Sequence, residues 1–139
     1  MKFFFLISLI LLISINLVAQ ENGENKTFKD QTTSLTWQSG ENDISRMKFD
    51  WATSYCESFQ GGGKDGWRLP TVKELLTLID YKKVDPATTF EFETIYPSYY
   101  WTSDISVSYD QRVWGVNFKN GAVSLYKRTY ATYVRCVHP

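Results

Sequence analysis

Histidine and cysteine are scarce in this sequence of 139 residues, which contains one histidine and two cysteines. Zinc sites are built from several His and Cys ligands, and serine hydrolases need a histidine beside the nucleophile. His138 is the penultimate residue and is predicted to be a solvated tail residue, and no G-x-S-x-G motif is present. We therefore expect a protein that is not an enzyme and that holds no metal or cofactor.

The formal net charge of the chain is zero, because 15 Lys and Arg residues balance 15 Asp and Glu residues. Proteins that bind nucleic acids are usually basic, since contacts with phosphates supply much of their affinity. A nucleic-acid partner is therefore not expected for this chain.

The longest apolar run, residues 3–18, lies at the N-terminus and follows the basic residue Lys2. It ends at the small residue Ala19, which is suited to cleavage, so residues 1–19 are predicted to be a signal peptide. An uncleaved N-terminal anchor is the alternative interpretation. We expect a secreted or periplasmic protein that has no membrane span once the signal peptide is removed.

Beyond the predicted signal peptide, the length of the chain indicates one domain. Residues 20–27 are polar and are predicted to form a disordered lead-in, and residues 28–139 have the length of one compact domain. Cys56 and Cys136 are an even number of cysteines in an oxidising compartment. That setting favours a structural disulfide over two buried free thiols.

Two helices are predicted in the first half of the domain. Asp50 is expected to cap a helix that begins at Trp51, and Tyr55 and Phe59 continue the apolar face of that helix. Three glycines at positions 61–63 end it in a flexible turn.

The start of the second helix has a specific sequence signature. Thr71 and Glu74 have the spacing of a capping box, in which each side chain accepts a hydrogen bond from the backbone N–H of the other residue. The apolar pattern that follows predicts a helix over residues 72–80.

The remaining segments predict strands. A first strand is expected over residues 28–37, and an irregular connection follows the helices over residues 82–97. Four further strands are predicted over residues 99–102, 113–118, 122–126 and 133–137. Asn120-Gly121 predicts a two-residue type I′ turn. This order indicates an α+β fold with two helices packed on a small antiparallel sheet.

Six segments of the domain together resemble a known family: LTWQ, DWATSYCESF, DGWRLPTVKELLTLID, YYWTSD, VWGVNFKNGAVS and YVRCV. They are similar to the DUF1566 family, which is named for the C-terminal domain of a Legionella collagen-like adhesin. The resemblance covers residues 35–137 and implies a C-type-lectin-like fold, related to that of sulfatase-modifying factors. In that fold a disulfide joins the first helix to the last strand, and Cys56 and Cys136 lie where it would fall.

The function implied by the resemblance is an exported module for binding or adhesion. Calcium-dependent lectins use a Glu-Pro-Asn or Gln-Pro-Asp tripeptide, which the sequence lacks. A sulfatase-modifying-factor-like enzyme is one alternative, and it would need reactive thiols in addition to a structural disulfide. A cell-envelope assembly module without a small ligand is another alternative, and the oligomeric state is left open.

Charges are separated along the second half of the domain. Residues 84–111 contain five acids and no base, whereas residues 112–139 contain five bases and no acid. A basic surface with aromatic rings could bind a sulfated or acidic glycan, or a surface protein. The candidate ligand-binding residues are Tyr126, Lys127, Arg128 and Tyr130. The alternative is that the acidic and basic segments lie side by side and neutralise each other.

Other cations are assigned less specific roles. Lys82 and Lys83 form a second basic spot after the second helix. Arg68 and Arg135 are expected to be structural, because partly buried guanidinium groups usually bind carbonyls or an acid. For Arg68 the expected acid is Asp65.

Overall fold

The computed structural model describes residues 26–40, 45–92, 94–109 and 111–139. The predicted signal peptide lies outside these residues, as do residues 20–25 of the predicted lead-in. Thr27, which was predicted to belong to the lead-in, is the first residue of a strand. Among the described residues, no helix has the length and hydropathy needed to cross a membrane.

The described part of the chain forms eight strands in two sheets. In chain order they are β1 (Thr27–Lys29), β2 (Thr36–Gln38), β3 (Arg46–Met47), β4 (Tyr99–Ile105), β5 (Arg112–Asn117), β6 (Val123–Lys127), β7 (Thr132–Tyr133) and β8 (Val137–His138). One sheet has the order β1-β2-β8 and the other has the order β3-β7-β4-β5-β6. Pairing is antiparallel except between β4 and β7. With the helices, this confirms an α+β fold.

The predicted first strand is in fact two antiparallel strands, so that prediction was wrong. A turn separates β1 from β2, and the carboxylate of Asp30 accepts hydrogen bonds from the backbone of Thr32 and the hydroxyl of Thr33. Ser34 has a positive φ of 63°, a conformation that reverses the chain rather than extending it. Local hydrogen bonds from side chains therefore stabilise a turn here, although the alternation of apolar residues predicts one continuous strand.

The first helix, α1 (Phe49–Ser58), begins two residues earlier than predicted. Asp50 does not cap it, because the N-cap is Lys48 and no side chain caps the helix. Trp51 is 73% exposed, so the face of the helix that is buried differs from the predicted apolar face. The buried residues of the helix are Phe49, Ala52 and Cys56, as the packing of Phe49 against Trp101 requires (ring centroids 5.7 Å apart).

The disulfide between Cys56 and Cys136 is confirmed, with an S–S distance of 2.02 Å. It joins the second half of α1 to the residue that precedes β8, and both cysteines are fully buried. Phe59 and Trp67 belong to the same apolar cluster, and their rings meet edge to face. The bond therefore lies inside the core rather than on the surface.

The second helix, α2 (Val72–Leu76), begins with the predicted capping box. Arg68 is structural, as predicted, but its partner is Glu74 and not Asp65. The guanidinium of Arg68 donates two hydrogen bonds to the Glu74 carboxylate, at 2.8 and 2.7 Å. The same carboxylate accepts from the backbone N–H of Thr71. The helix ends before its predicted limit, and the hydroxyl of Thr77 bonds to the Glu74 carbonyl at that point.

The hairpin predicted at Asn120-Gly121 is present between β5 and β6, but the type I′ turn is wrong. The N–H of Asn117 donates to the carbonyl of Ala122, so the loop contains four residues rather than two. Among residues 118–121, Gly121 alone has a positive φ, of 80°, whereas a type I′ turn requires two. A Cβ at Gly121 would lie 2.6 Å from the Tyr81 ring, so the close approach of another segment also requires glycine there.

The five-stranded sheet separates two apolar clusters, because neighbouring residues of a strand point to opposite faces. Trp101 of β4 and Val113 of β5 pack with α1, whereas Tyr100 and Val116 pack on the other face with Leu75 of α2. Each helix therefore covers one face of the sheet.

The predicted irregular connection is confirmed, since residues 82–92 and 94–98 form no helix or strand. Arg135 secures it from within the core. Its guanidinium is buried, donates to the carbonyls of Gln38 and Thr94, and lies 4.1 Å from the centre of the Phe92 ring. The structural role predicted for Arg135 is thus confirmed.

The ion pair between Arg68 and Glu74 predicts a measurable effect on acid stability. The hydrogen bond from Arg68 holds the pKa of Glu74 below its ordinary value of 4.5. The pair therefore stabilises the fold above about pH 4.5, and this contribution is lost as the pH falls through the lowered pKa. Glu74→Gln is expected to lower Tm by about 2–4 °C at pH 7 and by less at pH 3.

Thermal unfolding across this pH range tests the prediction, with Glu57→Gln as the control. Glu57 is an exposed residue of α1, so its substitution removes one carboxylate without removing this ion pair. An equal loss of Tm at both pH values in Glu74→Gln would contradict the assignment.

Candidate functional site

A basic depression lies where β5 begins and β6 ends. Arg112 and Lys127 are paired directly across these two strands, and the turn after β6 adds Arg128. The depression has a volume of about 310 Å³. Its lining residues are Ser108, Tyr109, Gln111, Arg112, Lys127, Arg128 and Thr129. Three bases thus surround one shallow space.

Two of the four predicted ligand-binding residues line this depression, and two do not. Lys127 and Arg128 line it, whereas Tyr130 is 53% exposed and is not among its lining residues. Tyr126 precedes Lys127 in β6 and so points to the opposite face of the sheet. There its ring packs against Tyr99 and Trp101, with centroids 4.6 and 6.4 Å apart.

Tyr126 is half-buried and packs against the apolar cluster that contains Trp101. Burial raises the pKa of Tyr126, and a hydrogen bond with Tyr99 acts in the same direction. Gly115 of β5 lies beside the ring, and a Cβ there would be in ordinary van der Waals contact with Tyr126, 3.5 Å from Cδ2. Tyr126 is therefore replaced as a contact candidate by residues that the sequence analysis did not select.

The missed residues are Arg112 and Tyr109. The guanidinium of Arg112 lies 5.9 Å from the centre of the Tyr109 ring, a cation–π geometry. Arg112 was visible as the first base after the acidic segment, but only the register of the hairpin places it opposite Lys127. Tyr109 lies in the loop before β5, and its place beside the bases is a tertiary feature.

Arg128 is fixed by four interactions that join separate segments. Its side chain forms an ion pair with Asp50 of α1, with 2.6 Å between Nη2 and Oδ1. It also lies 4.9 Å from the centre of the Phe49 ring. Its backbone N–H donates to the carbonyl of Gln111, and its carbonyl accepts from Phe49. Arg128 therefore links the start of α1 to the end of the hairpin.

The acidic segment does not neutralise these bases through its described acids. Asp85, Glu91 and Asp104 form no ion pair with the lining bases, and Asp104 instead accepts a hydrogen bond from the N–H of Val72. Glu93 and Asp110 lie outside the described residues. Among the described acids, the one that forms an ion pair with a lining base is Asp50, which precedes the acidic segment in the chain.

Arg112 and Lys127 are like charges at directly opposite positions, which is unfavourable for pairing between strands. Neither forms an ion pair with a described acid. An anion bound between them would relieve this repulsion. The arrangement therefore has the chemistry of an anion-binding site.

The remaining predicted positions lie elsewhere. Lys82 and Lys83 are exposed in the turn after α2 and do not line the depression. His138 is not a solvated tail residue, because its ring lies 5.4 Å from that of Trp67 and its Nε2 is 3.0 Å from the Asp65 carbonyl oxygen. Within the described ranges, no group of three or more His, Cys, Asp and Glu residues is placed to hold a metal ion.

Comparison with protein families supports the resemblance seen in the motifs. The model of the family described as the Lcl C-terminal domain matches residues 26–138. The match spans most of the chain and includes every residue that lines the basic depression. A search of curated proteins finds no match to this chain.

The repulsion between Arg112 and Lys127 predicts that replacing one of these bases with a neutral residue increases the stability of the fold. Lys127→Thr is expected to stabilise the fold by about 0.2–1 kcal/mol, because it removes the repulsion and places a β-branched residue in a strand. The gain should shrink as salt is added, since salt screens the repulsion.

Urea unfolding at low and high salt measures this effect. Lys83→Thr is the matched control, because Lys83 is exposed and has no cross-strand partner. A loss of stability in Lys127→Thr, or a gain equal to that of Lys83→Thr, would show that the repulsion is negligible.

Proposed function

Because the chain belongs to the Lcl C-terminal domain family, we propose that it is an exported adhesion module that binds a sulfated or acidic glycan. The basic depression is the proposed site. The observation that carries the proposal is the direct pairing of Arg112 and Lys127 without an acid of the described residues between them.

The shape and lining of the depression suit one anionic group of a larger ligand. Its volume of about 310 Å³ is near the lower end of the range of about 300–1,000 Å³ typical of ligand pockets. Guanidinium groups can donate two parallel hydrogen bonds to a sulfate or carboxylate. Ser108 and Thr129 add hydroxyls at the rim. The bound anion would lie between Arg112 and Lys127, neither of which forms an ion pair with a described acid.

The proposal includes three further expectations. The fold is of the C-type-lectin-like type, the protein is secreted or periplasmic, and it is not an enzyme. The last expectation is supported by the buried disulfide, which occupies both Cys56 and Cys136. A sulfatase-modifying-factor-like activity would need reactive thiols, which a buried disulfide does not supply.

Two other functions compete with glycan binding. A surface protein with clustered carboxylates would offer the same charge to the depression. An envelope assembly module without a small ligand would use the domain only for protein contacts. Binding assays with defined glycans separate glycan binding from the assembly module, because an assembly module without a small ligand predicts no affinity for a sulfated oligosaccharide.

Binding of a heparin oligosaccharide across a salt series tests the proposed site. Lys127→Ala/Arg128→Ala is expected to weaken binding and to make its salt dependence shallower by about one to two charges, because fewer counterions are released on binding. Isothermal titration calorimetry measures both quantities.

The matched control is Lys82→Ala/Lys83→Ala, which removes two exposed cations outside the depression. This variant should retain most of the affinity. Equal losses in the two variants would indicate diffuse attraction, and absence of binding by the wild-type protein at low salt would refute the proposed ligand.

The ion pair between Asp50 and Arg128 predicts that removing the charge of Asp50 increases the affinity for the oligosaccharide. It holds the Arg128 guanidinium at 2.6 Å and is itself 71% exposed, so it competes with an incoming anion. Asp50→Asn is expected to tighten binding of the oligosaccharide about two- to fivefold, the range that a surface ion pair of up to about 1 kcal/mol allows.

Glu57→Gln serves as the control for Asp50→Asn, because it removes the same charge from the exposed face of the same helix. Comparable gains in both variants would mean that net charge, rather than release of Arg128, determines the affinity.

A further inference from the structure

A second depression lies beside α2 and β5, with a volume of about 390 Å³. Its lining residues are Val72, Lys73, Asp104, Trp114 and Val123. Its lining is mainly apolar, with the Trp114 indole and two valines, while Asp104 and Lys73 add one charge of each sign. It shares no lining residue with the basic depression.

This second depression lies on the same face of the hairpin as the basic depression. Trp114 follows Arg112 by two residues in β5, and its cross-strand partner Leu125 precedes Lys127 by two residues in β6. Residues two apart in a strand share a face and are separated by about 7 Å. The indole is therefore one step along the hairpin from the pair of like charges.

Asp104 is held in place by the backbone of α2. Its Oδ2 accepts a hydrogen bond from the N–H of Val72 at 2.7 Å, and its own N–H donates to the hydroxyl of Thr102 at 3.1 Å. The register shift in β4 between Trp101 and Ile105 accompanies this placement. A carboxylate fixed in this way can accept a further hydrogen bond at the edge of the indole with little ordering cost.

The indole of Trp114 and the carboxylate of Asp104 together favour one class of ligand. A ring that is apolar on its face and hydroxylated at its edge can stack on an aromatic side chain and donate to a carboxylate. A chain of phosphates has no apolar face and would be repelled by Asp104, and a purely apolar ligand would cover Asp104 and Lys73 without offering either a hydrogen bond. A pyranose ring satisfies both requirements.

We propose that Trp114 forms a sugar subsite, on which the pyranose unit next to the anionic unit of a bound glycan stacks while a hydroxyl donates to Asp104. This inference rests on the proposed function, since the basic depression would hold the neighbouring anionic unit. It adds a source of specificity, because charge alone does not distinguish a sulfated glycan from another polyanion.

The test compares a heparin oligosaccharide with an inorganic polyphosphate of similar charge. Trp114→Ala is expected to weaken binding of the oligosaccharide about three- to tenfold and to leave its salt dependence unchanged. Binding of polyphosphate should not change. Trp114→Phe keeps an aromatic ring and should recover part of the loss, which distinguishes stacking from a change in the fold.

Intrinsic fluorescence offers a second measurement on the wild-type protein. The oligosaccharide should change the emission of Trp114, and this change should be absent in Trp114→Phe and on addition of polyphosphate. Equal losses for both ligands, or no loss for the oligosaccharide, would overturn the sugar subsite.

Failure of the subsite and failure of the proposed function give different results. If binding of the oligosaccharide depends on Lys127 and Arg128 but its affinity is unchanged by substitution of Trp114, the proposed function stands and the subsite is refuted. If a desulfated oligosaccharide binds through Trp114 without salt dependence, the subsite stands and the anionic ligand is refuted. No binding of either oligosaccharide at low salt would overturn both.

Discussion

The disulfide between Cys56 and Cys136 is the constraint on which the rest of the domain depends. It crosses 80 residues of sequence and ties α1 to the last segment of the chain. Closing a loop of this size stabilises a fold by about 4 kcal/mol in the chain-entropy model. The tied segment also carries Arg135, which anchors the irregular connection through Thr94, and Val137, which pairs with β2.

The position of α1 also fixes one residue of the basic depression, Arg128. Since the disulfide holds the second half of the helix in the core, its first residues meet the turn after β6, where Asp50 and Phe49 contact Arg128. Arg128, which these contacts hold, lines the depression together with the cross-strand bases Arg112 and Lys127. The proposed site thus shares one residue with the contact between α1 and the hairpin.

Local sequence signals were dependable where the stabilising interaction is also local. The capping box of Thr71 and Glu74 involves residues three apart, and the sequence alone was sufficient to predict it. The turn at Asn120-Gly121 was predicted at the right place but with the wrong length. Gly121 is also constrained by the ring of Tyr81, which belongs to another segment. A two-residue turn would have placed Trp114, rather than Arg112, opposite Lys127.

The sequence by itself determined the α+β class, the family, the disulfide and the presence of a basic C-terminal segment. These follow from composition, periodicity and motifs, which are properties of the chain. Only the tertiary structure decided that Tyr126 faces the core, that Arg112 joins Lys127, and that Asp50 pairs with Arg128. The reason is physical: strand register and helix placement set which side chains share a face, and both depend on contacts between residues distant in sequence.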